Sequence, residues 1–218
     1  MNLLLIHIPK TGCTSLEYYF SMKSNIVLNP VSLFFSMPNT NYFKGVKFNS
    51  SFQHLTYNTI MKHKVLFNID ETNLQILTVV RNPYDRIISD LFFFKKIKTN
   101  SSPEEVHDVI KAYLHENDVL DNHVLPQHKF ITDESGNLVK NVIIARTETL
   151  QKDMIKLGYT DFHIKANINI CKDAKPYSEY LNNDSIKLIN EYYNKDFTLF
   201  NYDKKVFLES NLNVKINM

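Results

Sequence analysis

Leu3-Leu4-Leu5-Ile6-His7-Ile8-Pro9-Lys10-Thr11-Gly12-Cys13-Thr14-Ser15-Leu16-Glu17 decides how the chain is read. The apolar run Leu3 to Ile8 predicts a buried strand. It ends at Pro9 and gives way to a short loop with one lysine, one glycine and three hydroxyls. Residues 14 to 22 predict a helix. A strand, a tight polar loop and a helix together form an anion site, because the first N–H groups of a helix lack intrahelical partners and sit at the positive end of its dipole. Lys10 adds a full charge, and Thr11, Thr14 and Ser15 add donors. Phosphate chemistry fits such a loop.

The loop is not the G-x-x-x-x-G-K-[ST] phosphate loop, because Lys10 precedes the only local glycine, Gly12. The order Pro-Lys-Thr-Gly-x-Thr-Ser instead resembles the 5′-phosphosulfate loop of sulfotransferases that use 3′-phosphoadenosine-5′-phosphosulfate (PAPS). It is similar in particular to the branch of heparan sulfate and other carbohydrate O-sulfotransferases, which carries His-Ile-Pro-Lys-Thr-Gly-Gly-Thr-Ser. The chain departs by placing Cys13 where glycine is common, so a left-handed backbone is not expected there.

Length and composition set the frame. The 218 residues suit one domain, with a core over about 2–202 and a tail over 203–218. A hydrophobic share of 44% with 22% charged residues belongs to a globular chain. A net charge of +2 gives no ground for a nucleic-acid partner. Cys13 and Cys171 offer no disulfide framework and suit a reducing compartment. The absence of a signal-like segment or a membrane span predicts a cytoplasmic protein, of microbial or viral origin.

A second buried strand is predicted at 76–80, running into Arg81-Asn82-Pro83, where Asn82 caps a helix and Pro83 opens it, to about Lys95. Arg81 lies at the strand end, where open α/β sheets bind ligands. Ser89 stands two turns into that helix. The Arg81…Ser89 pair resembles the 3′-phosphate site of PAPS sulfotransferases. Between the two phosphate motifs, residues 29–64 read as irregular except for a short helix near Tyr57 to His63. They contain Gln53-His54-Leu55-Thr56-Tyr57, which resembles the family's Gly-His-x-x-Tyr stretch, whose histidine is the catalytic base. His123, in Asn122-His123-Val124-Leu125-Pro126-Gln127, resembles an active-site stretch of the branch and is a second candidate for substrate contact.

Ser102-Pro103-Glu104-Glu105 is a capping box opening a helix to about Glu116. A strand and turn are expected over 130–137, a third buried strand over 141–145, and a helix stopping at Gly158. Arg146 and Glu148 read as a salt bridge, and Phe92 to Phe94 as core. Asp184 is expected to cap the last helix, which should run to about Asn194. Asp196-Phe197-Thr198-Leu199-Phe200-Asn201-Tyr202 resembles the family's C-terminal motif. Lys165, Lys172 and Lys175 are candidates for a basic segment over the cofactor.

The expected architecture is therefore one α/β domain, a P-loop-like, mostly parallel sheet flanked by helices. The resemblance implies sulfuryl transfer from PAPS, with 3′-phosphoadenosine-5′-phosphate (PAP) as product, to an acceptor hydroxyl, with a glycan as the favoured acceptor. Lys10 and His54 would be catalytic, and residues Lys10, Thr11, Gly12, Cys13, Thr14, Ser15, Arg81 and Ser89 would bind the cofactor. No metal is expected. The rival readings are a nucleotide kinase-like phosphotransferase and a non-catalytic binder of nucleotides or sulfated glycans. Acceptor-specific loops are expected over 29–64 and 96–130.

Overall fold

The computed structural model describes residues 2–25, 42–115, 121–163 and 175–205. Residues 25–28, whose apolar run also reads from sequence as a short strand, fall almost wholly outside these residues, as do Lys165, Lys172 and Cys171.

Three strands form a parallel sheet: β1 (Leu3–Ile6), β4 (Gln75–Val80) and β5 (Val142–Arg146), with β4 in the middle. Leu3 pairs with Gln75 and Ile6 with Thr78, while Ile76 pairs with Val142 and Val80 with Arg146. All three strands therefore finish at the same edge. A separate two-stranded hairpin, β2 (Tyr42–Phe43) and β3 (Val46–Lys47), lies within what reads from sequence as an irregular stretch. It is followed by a 3-10 turn at Phe52–His54 and by α2 (Tyr57–Lys62).

Strand β4 alternates between two cores because successive side chains point to opposite faces. Ile76 and Val80 pack with Ile6, Ile8, Leu55, Ile60 and Phe130. Leu77 and Val79 pack with Leu16, Leu150 and Met154, which lie on α1 (Cys13–Lys23) and α5 (Leu150–Lys156). Helices thus cover both faces of the sheet, as expected. A third cluster joins α3 (Pro83–Phe93), α4 (Pro103–Leu114), α6 (Asn183–Tyr192) and α7 (Asn194–Leu199).

Local signals explain most boundaries. Asn82 accepts from Tyr84 N with Pro83 at the first position of α3, and Ser102 and Glu105 close the capping box of α4. Gly158 has φ +92 and the Tyr159 N–H returns to Met154 O, closing the end of α5. Other expectations fail for physical reasons. Strand β1 stops at Ile6, because His7 turns toward Glu17 on α1. Asn182, not Asp184, caps α6, since its Oδ1 reaches the Ser185 N–H at 2.9 Å. The helix expected to reach Asn194 ends at Tyr192, and α7 starts afresh. Residues 130–137 supply the expected turn, closed by the Gly136 N–H on Asp133 O, but the strand shrinks to a bridge between Thr132 and Leu138 after a 3-10 turn at Gln127–Phe130. Phe93 is not core: it is 47% exposed.

One buried cation ties the pieces together. Arg86, on the inner face of α3, is 2% exposed. Its Nε donates to Pro9 O at 3.0 Å, one terminal nitrogen to Leu125 O at 3.0 Å, and the other to His123 O at 2.6 Å. Replacing it with leucine leaves three buried carbonyls without their donor, each worth about 1–3 kcal/mol. Arg86→Leu should lower the unfolding free energy by about 3–5 kcal/mol in urea titrations. A loss below about 1 kcal/mol would show that the carbonyls find other partners.

Candidate functional site

The site lies at the shared C-terminal edge of the sheet. The loop after β1 turns sharply there. Lys10 has φ +63 and Gly12 φ +87, both in the left-handed region. Glycine takes that conformation freely, whereas lysine is strained by about 1–2 kcal/mol. Cys13 then begins α1 with ordinary helical geometry, in line with the expectation that no left-handed turn falls there.

The N-terminus of α1 carries no side-chain cap and no acidic residue in its first turn. Gly12 occupies the cap position. Thr14 and Ser15 are half-buried at that end. The Thr11 and Cys13 side chains turn inward instead. Thr11 Oγ1 donates to Ile8 O, and burial pushes the Cys13 thiol up to about 11. Both side chains are thus buried beneath the loop. Thr147 Oγ1 fastens the loop by donating to Thr11 O at 2.6 Å.

The Lys10 loop and the Arg81 segment meet here. Arg81 leaves the end of β4 and donates to Lys10 O at 3.3 Å. Gln127 holds the Arg81 main chain on both sides: Arg81 N donates to its Oε1, and its Nε2 donates to Arg81 O, each at 2.8 Å. Burial lowers the affinity of the Arg81 guanidinium for its proton, with Asp85 and Glu148 opposing. Ser89 sits on α3, half-buried. The Lys10 ammonium rests 4.2 Å from the centre of the Phe93 ring, and burial lowers its pKa, opposed by Asp90 and reinforced by Arg81.

Beside the loop runs a row of histidines. The rings of His7 and His54 meet edge to face at 5.1 Å, and those of His54 and His123 at 4.9 Å. Each Nδ1 lies 2.7 Å from a carboxylate: Glu17 for His7, Asp121 for His54 and Asp90 for His123. Gln53 Nε2 donates to both oxygens of Glu17, and the Tyr113 hydroxyl donates to Asp90. Phe93 lies parallel to His123 at 5.5 Å. His54 and His123, both expected in the site, are therefore neighbours. His7, Glu17, Asp90 and Asp121 were not singled out by sequence.

Electrostatics set the protonation of the central pair. Burial pushes the His54 imidazole down to about 4, with Asp121 opposing and His7 and His123 adding to the fall. Burial acts to raise Asp121, but hydrogen bonds from His54 and Ser51 outweigh it and hold the carboxyl below its usual value. At neutral pH the pair is thus an uncharged imidazole donating to a carboxylate.

Among the described residues, His54, Asp121 and His123 have ligand atoms within 4.8 Å of one another and could hold a metal ion. Sequence spacing hides this group, since His54 and Asp121 are 67 residues apart. The Asp121 carboxylate and both imidazole Nδ1 atoms already have partners: Asp121 accepts from His54 Nδ1, Ser51 N and Ser51 Oγ, and His123 Nδ1 is bound to Asp90. Arg146 and Glu148 do not form the expected salt bridge. Arg146 donates to Phe200 O, while Glu148 accepts from Asn82 N and the Tyr202 hydroxyl.

A family model described as "Sulfotransferase family" matches residues 1–203. No curated protein and no solved structure gives a significant match.

His54 gives a pH test of this geometry. Its folded pKa of about 4 lies below the usual value of about 6.5, so the unfolded chain binds more protons between them. Stability from this group is full above about pH 6.5 and falls on acidification toward pH 4, at up to about 1.4 kcal/mol per pH unit. His54→Gln should flatten the pH dependence of the unfolding free energy in that window. An unchanged slope would place the His54 proton affinity near its ordinary value.

Proposed function

The chain belongs to the sulfotransferase family, and we propose that it transfers a sulfuryl group from PAPS to an acceptor hydroxyl, with carbohydrate as the favoured acceptor. The observation carrying this reading is the meeting of the Lys10 loop and Arg81 at one sheet edge. It supplies two cationic groups, an uncapped helix N-terminus and a neighbouring neutral imidazole. PAPS, when bound, supplies the sulfuryl group and departs as PAP.

Each residue has a chemical task. The main-chain N–H groups of Gly12 to Thr14 and the hydroxyls of Thr14 and Ser15 would hold the 5′-phosphate at the positive end of α1. Lys10 would move from the face of Phe93 to the bridging oxygen and stabilise the charge that grows on the leaving phosphate. The cation–π contact it gives up is worth about 0.5–2 kcal/mol, a modest cost beside that new charge pairing. Arg81 and Ser89 would take the 3′-phosphate. His54 would accept the proton of the acceptor hydroxyl, and His123 would touch the acceptor. A sulfuryl group carries less negative charge than a phosphoryl group, so a metal is not needed to screen the in-line approach.

Two substitutions separate these roles. Lys10→Ala should lower kcat by about 10²–10³-fold with little change in nucleotide affinity, because its contact strengthens as charge develops. Retained turnover with weakened affinity would make Lys10 a binding residue only. Arg81→Ala should weaken PAP by about 10–100-fold and leave AMP unchanged, since one charge-assisted contact is worth about 1.5–3 kcal/mol. Equal losses for both nucleotides would remove Arg81 from the 3′-phosphate. If the wild-type chain binds PAP but turns over no PAPS, the non-catalytic reading holds instead.

A further inference from the structure

Resting on the sulfotransferase reading, we propose that Asp121 is the positioning residue of the base: its carboxylate accepts the Nδ1–H of His54 and so directs the Nε2 lone pair at the acceptor hydroxyl. Asp121 Oδ2 lies 2.7 Å from His54 Nδ1, which is close enough to fix one tautomer. Ser51 in turn orients the carboxylate. Its N–H donates to Oδ1 and its hydroxyl to Oδ2 at 2.8 Å. Ser51 and His54 flank a single 3-10 turn, so base and orienting group are held as one unit.

The segment that brings Asp121 here is strained. Asp121 has φ +51 and Asn122 φ +63, two consecutive non-glycine residues in the left-handed region. Such residues cost about 1–3 kcal/mol each and persist where the surroundings fix them. Here the fixing contacts all lead to His54. Asn122 Nδ2 donates to the His54 carbonyl at 2.8 Å, the Asp121 carboxylate takes its ring, and His123 packs against that ring. Behind them, Arg86 holds the His123 carbonyl. Three successive side chains of a strained turn thus address one residue, two of them its ring and one its carbonyl.

The charge balance agrees with the role. The groups facing the His54 ring are Asp121 and His123 from this turn, His7 from the loop after β1, and Ser51 from its own turn. Among the described residues, Asp121 is the one carboxylate in direct contact with that ring, and Glu17 and Asp90 stand one residue further off, behind His7 and His123. During transfer the acceptor O–H bond breaks and an Nε2–H bond forms. The acceptor oxygen bonds to sulfur, and the bridging S–O electron pair leaves with PAP. The imidazolium formed at His54 is then paired with Asp121 and loses its proton to solvent after the acceptor departs.

The test compares wild type, Asp121→Asn and Asp121→Glu in the full chain. Asp121→Asn should keep the thermal shift given by PAP and a PAPS KM within about threefold, yet lose kcat by about 10²–10⁴-fold, the range seen when an imidazole loses its orienting carboxylate. The acid limb of its kcat profile should move to lower pH, because the imidazolium has lost its counter-charge. Asp121→Glu should recover part of kcat. A variant with wild-type kcat and an unmoved acid limb overturns the proposal. Nitrogen-15 spectra of the imidazoles supply a second readout that needs no turnover. The wild type should show His54 as the Nδ1–H tautomer, and Asp121→Asn should show a mixed or inverted one. An unchanged tautomer overturns the proposal even where kcat falls. If the wild type lacks PAPS turnover but shows the expected tautomers, the sulfotransferase reading has failed while the Asp121–His54 pair stands.

Discussion

The buried guanidinium of Arg86 is the constraint on which the rest of the molecule depends. It lies 2% exposed beneath the sheet edge and spends its donors on main-chain carbonyls of Pro9, His123 and Leu125. Those carbonyls belong to two segments that share no strand pairing: the loop after β1 and the turn that delivers His123. A parallel sheet alone would align β1 with β4 but would leave the turn at residues 121–126 free to choose its place. Arg86 fixes that place from α3. A guanidinium suits the task because its planar fork can serve several acceptors at once.

From that anchor the site follows in layers. Gln127, itself buried, bonds the main chain of Arg81 and is held by Asp196 at 2.7 Å, so the C-terminal motif supports the β4 end from behind. Thr147, just past β5, fastens the Thr11 carbonyl. The segments that follow all three strands are thereby tied together at the loop–Arg81 edge. The histidine row lies along the same edge, and its three carboxylates keep the rings oriented. Three of the ten non-glycine residues with positive φ among the described residues, Lys10, Asp121 and Asn122, lie here, each held by its surroundings.

How much of this was legible in the sequence differs by the range of the interaction. Asn82, Pro83, Ser102, Glu105 and Gly158 announce helix ends because caps act within a few residues. The runs at 3–8, 76–80 and 141–145 announce buried strands, found at 3–6, 75–80 and 142–146, because a sheet covered on both faces demands continuous apolar residues. The Lys10 loop and Arg81 could be paired from their motif resemblance. Asp121, Asp90 and Glu17 could not, because a carboxylate 67 or 33 residues from its imidazole leaves no periodic trace, and even Glu17, ten residues from His7, looks like an ordinary helix residue. Phe93 was misread for a related reason. An aromatic run reads as core, yet one member turns outward to carry the Lys10 ammonium. The Arg146–Glu148 pair was misread because spacing of two suggests proximity, whereas each side chain reached a longer-range partner.

The central claim is that the Lys10 loop and the Arg81 position form one binding site for a nucleotide phosphorylated at both 3′ and 5′ positions. Thermal unfolding with saturating PAP, beside AMP, ADP and ATP with Mg²⁺, tests it most directly. A ligand at about 100 times its Kd adds roughly 2.7 kcal/mol to the folded state, which is a shift of several degrees for a chain of this size. The account predicts a large shift with PAP and a much smaller one with each of the others. A larger shift with ATP and Mg²⁺, or equal shifts with PAP and AMP, would contradict it.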